Sequence, residues 1–258
     1  SQGLFQQWDG TLDVTNTSGI IFRSWQGKIQ MNHLKANGLD SNQDELLSFD
    51  KSLCDLRNID LKNNPKTLLE FYETHCYIDN ITISGSKENG LNSSKHSNIS
   101  IRNALISDNK DGLRVYNSSS LDLDYVTIKN NSSDGIDLGG NSFVNVRNST
   151  IYNNKSKGID ASRISNVQLD NVTVSLNEED GIEIKRNSYI NISNSIIKEN
   201  NENGIHVSRN SYIDIYSSTI KSNKKNGISV SHNSTLDFGG DNSDTGTVIE
   251  LNEGNGVD

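Results

Sequence analysis

An all-β solenoid of about ten stacked coils is the fold this 258-residue chain predicts, and three observations carry that expectation. The stretch EEDGIEIKRNSYINISNS, Glu178 to Ser195, sets Ile182, Ile184, Ile190 and Ile192 in alternation with polar residues, the period-2 pattern of a strand with one buried face. The pattern then recurs: a glycine followed by an apolar residue stands at Gly90, Gly112, Gly135, Gly158, Gly181, Gly204, Gly227 and Gly256, in steps of 23 residues from Gly112 to Gly227, with a first step of 22 and a last of 29. Finally, no helical segment fits between the strand-like runs, so helical crossovers are excluded and each coil lies in parallel register on the one before.

Residues 1–28 hold both tryptophans, Trp8 and Trp25, with Phe5 and Phe22, outside the strict repeat. They read as an irregular capping coil over the first, otherwise unpaired, strands. An aromatic sugar platform is the alternative, for which the sequence shows no second aromatic at matching coil spacing. Residues 29–258 read as the solenoid. IQMNHLKA from Ile29, CDLRNIDL from Cys54 and CYIDNITI from Cys76 are its early coils. The two cysteines fall in the inward column later filled by Ile99, Leu121 and Val144. They read as buried free thiols, because parallel Cβ vectors on stacked coils suit a disulfide poorly.

Each later coil carries three short runs. The first has apolar pairs such as Ile159/Ala161, Ile182/Ile184 and Ile205/Val207, the second Val167/Leu169, Ile190/Ile192 and Ile213/Ile215, and the third Val172/Val174, with Ser195/Ile197 and Ser218/Ile220 following. β-Branched residues favour such strands. Asn131, Asn154, Asn177, Asn200, Asn223 and Asn252 recur before the glycine, and Ser119, Ser142, Ser165, Ser188, Ser211 and Ser234 after it. Amides stacked at the strand spacing of about 4.8 Å can hydrogen-bond along the axis. The glycine marks a positive φ or a crowded place. The final ELNEGNGVD stops just after another glycine-apolar signal, so the chain reads as a piece of a longer protein.

DGIEIKRNSYINISNSIIKENNENGI resembles the repeat of right-handed parallel β-helix proteins, a family that includes pectate and alginate lyases, uronan epimerases, glycoside hydrolases, phage tailspikes and surface adhesins. The resemblance covers about Cys54 to Asp258 and implies the fold, while many activities share that scaffold. The leucine-rich repeat is the competing solenoid; the Ile and Val of three strand-like runs argue against it. SSDGID, Ser132 to Asp137, is similar to the NTDGID-like motif of polygalacturonase-type hydrolases, which implies a catalytic role for Asp134. However, KG at Lys157 and Gly158 replaces the acid pair expected one coil later, and neither the other hydrolase motifs nor the DPH motif of alginate epimerases is present.

Net charge of −9 argues against a nucleic-acid partner, and no apolar run approaches the roughly 18 residues of a membrane span. The Asn-X-Ser/Thr sequons at Asn80, Asn98, Asn148, Asn171, Asn191 and Asn233 read as chance in a chain so rich in Asn and Ser. No His or Cys cluster has zinc spacing.

Function therefore falls to outward columns. One runs Arg114, Asp137, Asp160, Glu183, His206, Ser229, and another three residues on runs Asn117, Gly140, Arg163, Arg186, Arg209, His232; Phe143, Tyr189 and Tyr212 form an aromatic column. The face is either a solvated surface whose acids the arginines neutralise or a glycan groove in which the arginines clamp carboxylates. For the groove, Asp160, Arg186 and His206 are the candidate catalytic residues, and Asp137, Glu183, Arg163, Arg209, Tyr189 and Tyr212 the candidate ligand contacts. A lyase-like site needs a cation or Arg to neutralise a uronate and a base to take its α-proton, which makes calcium the candidate cofactor. The sequence thus predicts an extracellular or surface module that binds or cleaves an acidic polysaccharide, with a cell-surface glycan and a second copy of the chain as candidate partners. A structural shaft, adhesin or tailspike segment is the alternative.

Overall fold

The computed structural model describes residues 5–15, 22–38, 45–239 and 246–258, and every regular element among them is a strand. The strands form two sheets, one of 14 and one of 10 strands. Each coil gives one strand to the small sheet and one or two to the large one. Pairing is parallel and in the register of the repeat: Ile159 pairs with Ile182, Ile182 with Ile205 and Ile205 with Ile228.

The three predicted runs therefore make two sheets. In the early coils the second and third runs join into one strand, as in Asn98–Ser107 and Ser120–Lys129. The chain bends there through one left-handed residue, Asn103 at φ 53 or Tyr125 at φ 55. From Tyr189 onward the same bend, at Asn194 with φ 50, separates Tyr189–Ser193 from Ile196–Lys198.

Inward columns fill the interior with Ile, Leu and Val from both sheets, and Ile182, Ile184, Ile190 and Ile192 are fully buried. Burying each such side chain contributes about 1.5–3 kcal/mol. Toward the N-terminus the interior takes aromatics: Phe49 stacks on Phe71 with centroids 5.5 Å apart and packs against Phe22 at 5.6 Å.

The asparagine column is a buried ladder. Asn154 Nδ2 donates to Asn177 Oδ1 at 2.9 Å, Asn177 Nδ2 donates to Asn200 Oδ1 at 2.9 Å, and the backbone N–H of each donates to the same oxygen. The serine column works differently. Ser188 Oγ, for example, accepts the backbone N–H of Ser165 at 3.1 Å and donates to the Lys185 carbonyl three residues back. The glycines are explained by crowding: a Cβ on Gly158 would stand 2.6 Å from the Gly181 carbonyl oxygen, and Gly158 has no positive φ.

Two expectations change. Cys54 and Cys76 are joined by a disulfide, with Cα atoms 4.5 Å apart; direct strand pairing of the two residues brings their Cα atoms within disulfide range, so they are not free thiols. Within residues 1–28, Phe5–Thr15 pairs with Lys28–Asn37 in the large sheet and Phe22–Trp25 with Leu47–Asp50 in the small one. The repeat thus extends further toward the N-terminus than its sequence columns show.

Candidate functional site

The outward face of the small sheet carries the acidic column, and pairing confirms its order: Arg114 faces Asp137, Asp137 faces Asp160, Asp160 faces Glu183 and Glu183 faces His206. Upstream the same column continues through Ser48, Glu70 and Asn92.

Neighbouring carboxylates at this spacing would repel by about 3 kcal/mol per pair at an effective dielectric of 20. Lysines from other columns remove that repulsion. Lys185 Nζ lies 2.9 Å from Asp160 and 2.6 Å from Glu183, while Lys157 Nζ lies 3.3 Å from Glu183, 3.1 Å from Glu179 and 3.6 Å from Asp160. Burial opposes ionisation of Glu183, but the two lysines hold its carboxyl below the usual range. Burial likewise acts to lower Lys157, and Asp160, Glu183 and Asp134 outweigh it and raise its pKa. The arginines do not neutralise this column, as one reading of the sequence expected.

Asp134, the residue implied by the hydrolase-like motif, accepts the Lys157 backbone N–H at 2.9 Å and is pushed by burial up to about 6. Asp137 accepts the Tyr116 hydroxyl at 2.7 Å, with Arg114 3.6 Å from its other oxygen. Burial raises the pKa of both Asp137 and Tyr116. His206 Nδ1 stands 3.6 Å from the buried Asp180, whose carboxylate raises the imidazole pKa; Asp180 is itself held by the backbone and side-chain N–H groups of Asn203.

Arg163, Arg186 and Arg209 occupy the corner between the sheets. All three adopt left-handed backbone, at φ 62, 60 and 60, and are exposed. Their carbonyls accept N–H groups from the preceding coil, which fixes them one coil apart. Among the described residues none of the three pairs with a carboxylate. Left-handed backbone favours Gly or Asn, as at Asn117 and Gly140 in this same column, so backbone preference does not account for the three arginines. Beside Arg163, Ile164 is also left-handed, at φ 66, and 62% exposed, in a column that is Asn at Asn141, Asn187, Asn210 and Asn233.

Tyr189 and Tyr212 open their strands three residues past Arg186 and Arg209, and their rings stack at 5.5 Å and 11°. The structure thus groups Arg186, Arg209, Tyr189 and Tyr212 along one corner. Asp160, Glu183 and His206 lie on the small-sheet face beside it. Phe143 is separated from the tyrosine pair by Asn166.

Lys157, Lys185, Tyr116 and Asp180 are not legible in single columns because their side chains reach across columns, and Glu70 joins the acidic column only through strand pairing where the sequence period loosens. The one available sequence signal is Lys157, which stands where the hydrolase-like motif has an acid. For calcium, no group of three or more His, Cys, Asp or Glu among the described residues has a metal-holding arrangement, and Lys157 and Lys185 already bridge Asp160 and Glu183.

These coils, sheets and ladders define a parallel β-solenoid with a charged outer face. The sequence profile described as Right handed beta helix region matches residues 18–164 and 110–243, and the chain belongs to that family. No curated protein matches in sequence. Among solved structures, the chain is similar to the A-module of a mannuronan C-5 epimerase from Azotobacter vinelandii, at 11% identity over 98% of this chain and 82% of that one, with a TM-score of 0.65. It is also similar to a double mutant of a periplasmic alginate epimerase, at 14% identity over 92% and 69% with a TM-score of 0.68, and to a pectate lyase, at 12% over 96% and 71% with 0.55. At these identities the likeness establishes the fold, which by itself does not fix an activity.

Proposed function

We propose that the chain is an extracellular or surface module that binds an acidic polysaccharide along the corner of Arg163, Arg186 and Arg209. The observation that carries this reading is three exposed arginines one coil apart, without a carboxylate partner among the described residues, near the stacked rings of Tyr189 and Tyr212. Adjacent guanidinium groups at coil spacing repel by under about 1 kcal/mol in water, a cost a bound polyanion would turn into attraction. Arg recognises carboxylates through paired N–H donors, and uronate residues supply such carboxylates. Proteins described as epimerases of alginate and mannuronan and as a pectate lyase share this fold, which supports a glycan partner. The Cys54–Cys76 disulfide supports an oxidising compartment outside the cytosol.

Asp160 and Glu183, being ion-paired, serve in this reading to hold the face together. For eliminative chemistry, the groups outside those ion pairs are Asp134, near neutrality in pKa, Tyr116 and His206. The shaft or adhesin reading is favoured by the same saturated ion pairs. Oligomannuronate and oligogalacturonate binding, followed with and without chain cleavage, separates the two. Wild-type binding that weakens about a hundredfold or more in the Arg163→Ala, Arg186→Ala, Arg209→Ala triple variant is expected from the loss of charge-assisted contacts; wild-type protein that binds neither glycan favours the shaft.

A further inference from the structure

Trp25, alone in the sequence, has aromatic company in the fold. Pairing places Trp25 opposite Asp50, Asp50 opposite Tyr72 and Tyr72 opposite Ser94. Ser93 pairs with Val115, so Ser94 is followed in the same outward column by Tyr116, and Leu138 pairs with Val115, so Tyr116 is followed by Gly139. The column therefore reads Trp25, Asp50, Tyr72, Ser94, Tyr116, Gly139: an aromatic residue at every second coil, each followed by a smaller residue.

The small neighbour has a visible use at Gly139. A Cβ there would stand 2.7 Å from the Tyr116 ring, so the ring lies over that glycine. Two of the three aromatics are held in place by the same kind of contacts. Tyr72 donates its hydroxyl to Glu70, which also accepts the Asn92 amide at 2.7 Å, and Tyr116 donates to Asp137 at 2.7 Å. A cation stands over each ring, Lys95 at 5.0 Å and Arg114 at 4.7 Å. Trp25 is 66% exposed.

We propose that Trp25, Tyr72 and Tyr116 form a stacking platform for the sugar rings of an extended glycan running along the solenoid axis. Sugar rings present an apolar C–H face and a hydroxyl-rich edge, which suits an aromatic side chain with a polar tip or polar neighbours. Coils are about 4.8 Å apart, so the aromatics recur at about 9.6 Å and span about 19 Å from Trp25 to Tyr116. An extended chain whose successive residues alternate in orientation offers an equivalent ring face at every second residue, the periodicity this column has. The adjacent corner column carries Lys95 beside the platform and Arg163, Arg186 and Arg209 further along, so platform and arginines form one strip. Lys95 has no carboxylate partner among the described residues and is the cation placed to meet a uronate there.

This platform rests on the reading that the chain binds a polysaccharide, and the test keeps the two apart. In a Trp8→Phe background, which leaves Trp25 as the sole tryptophan, intrinsic fluorescence is followed during titration with oligomannuronates and oligogalacturonates of three to ten residues, with cello-oligosaccharides as the neutral series, and the affinities of all variants are measured by isothermal titration calorimetry. The platform requires that the long oligomers change Trp25 emission. It also requires that Trp25→Ala or Tyr72→Ala weaken binding of the long oligomers about tenfold while leaving the shortest within about twofold. Tyr72→Phe, which keeps the ring and removes only the hydroxyl, should retain most of the affinity. If Trp25→Ala and Tyr72→Ala bind every length like wild type while the triple arginine variant loses binding, the acidic-glycan reading stands and the platform falls. If Trp25→Ala loses acidic and neutral series alike while the triple variant does not, the platform stands and the arginine corner falls. Wild-type protein that binds none of the three series overturns both.

Discussion

Two charged columns run side by side on the small-sheet side of this solenoid, and they are treated in opposite ways. Asp160 and Glu183 are half-buried, and Lys157 and Lys185 enclose them in ion pairs of 2.6 to 3.6 Å. Arg163, Arg186 and Arg209 have the same coil spacing, yet they are exposed and have no carboxylate partner among the described residues. Burial makes the difference. Repulsion inside the small-sheet face is strong enough to require internal counter-ions, whereas at the solvated corner it is weak, so like charges can be left open there for a partner to neutralise.

The uncharged asparagine ladder sets the scale against which both columns are measured. Asn177→Leu removes a buried acceptor used by both N–H groups of Asn154 and a donor to Asn200. At about 1–3 kcal/mol for each buried group left unpaired, thermal or denaturant unfolding should show a loss of at least about 3 kcal/mol.

Next in size is the paired column. Lys185→Met removes the closer counter-ion of two partly buried carboxylates and leaves them only Lys157, and about 2 kcal/mol of destabilisation is expected. Arg186→Met, by contrast, should change stability by no more than about 0.5 kcal/mol while weakening acidic-glycan binding. Equal destabilisation by the two substitutions would erase the contrast between face and corner.

The third comparison is in pH. Burial and a hydrogen bond with Glu45 push Glu70 up to about 7 from 4.5, so the folded state holds a proton that the unfolded state has lost. Its contribution to stability is therefore fully present below about 4.5 and is lost as pH rises through about 7. Glu70→Gln should flatten the fall in melting temperature across that window. An unaltered pH profile in this variant would show that Glu70 does not hold the extra proton.

The smallest effect lies at the corner itself. Ile164→Asn replaces a β-branched left-handed residue by the type found at Asn141 and Asn187, and a gain of about 1 kcal/mol is expected. If the exposed Ile164 is kept for ligand contact, the stabilised variant will bind acidic glycan less well.

The sequence by itself determined the solenoid, because a 23-residue period with inward Ile and Val columns leaves one way to bury its apolar residues. It also determined the ladder through Asn177 and Asn200 and the register of Asp137, Asp160, Glu183 and His206, since parallel stacking turns spacing along the chain directly into neighbours in space. What the chain does with those neighbours was decided only in three dimensions. Lys157 and Lys185 reach acids on their own and neighbouring coils, over distances set by side-chain length. Cys54 and Cys76 are paired in a disulfide where their stacking alone read as two thiols. Trp25 joins Tyr72 and Tyr116 only when the irregular spacing of the first coils is replaced by hydrogen-bonded register, because a column is a property of strand pairing, and strand pairing persists where the sequence period does not.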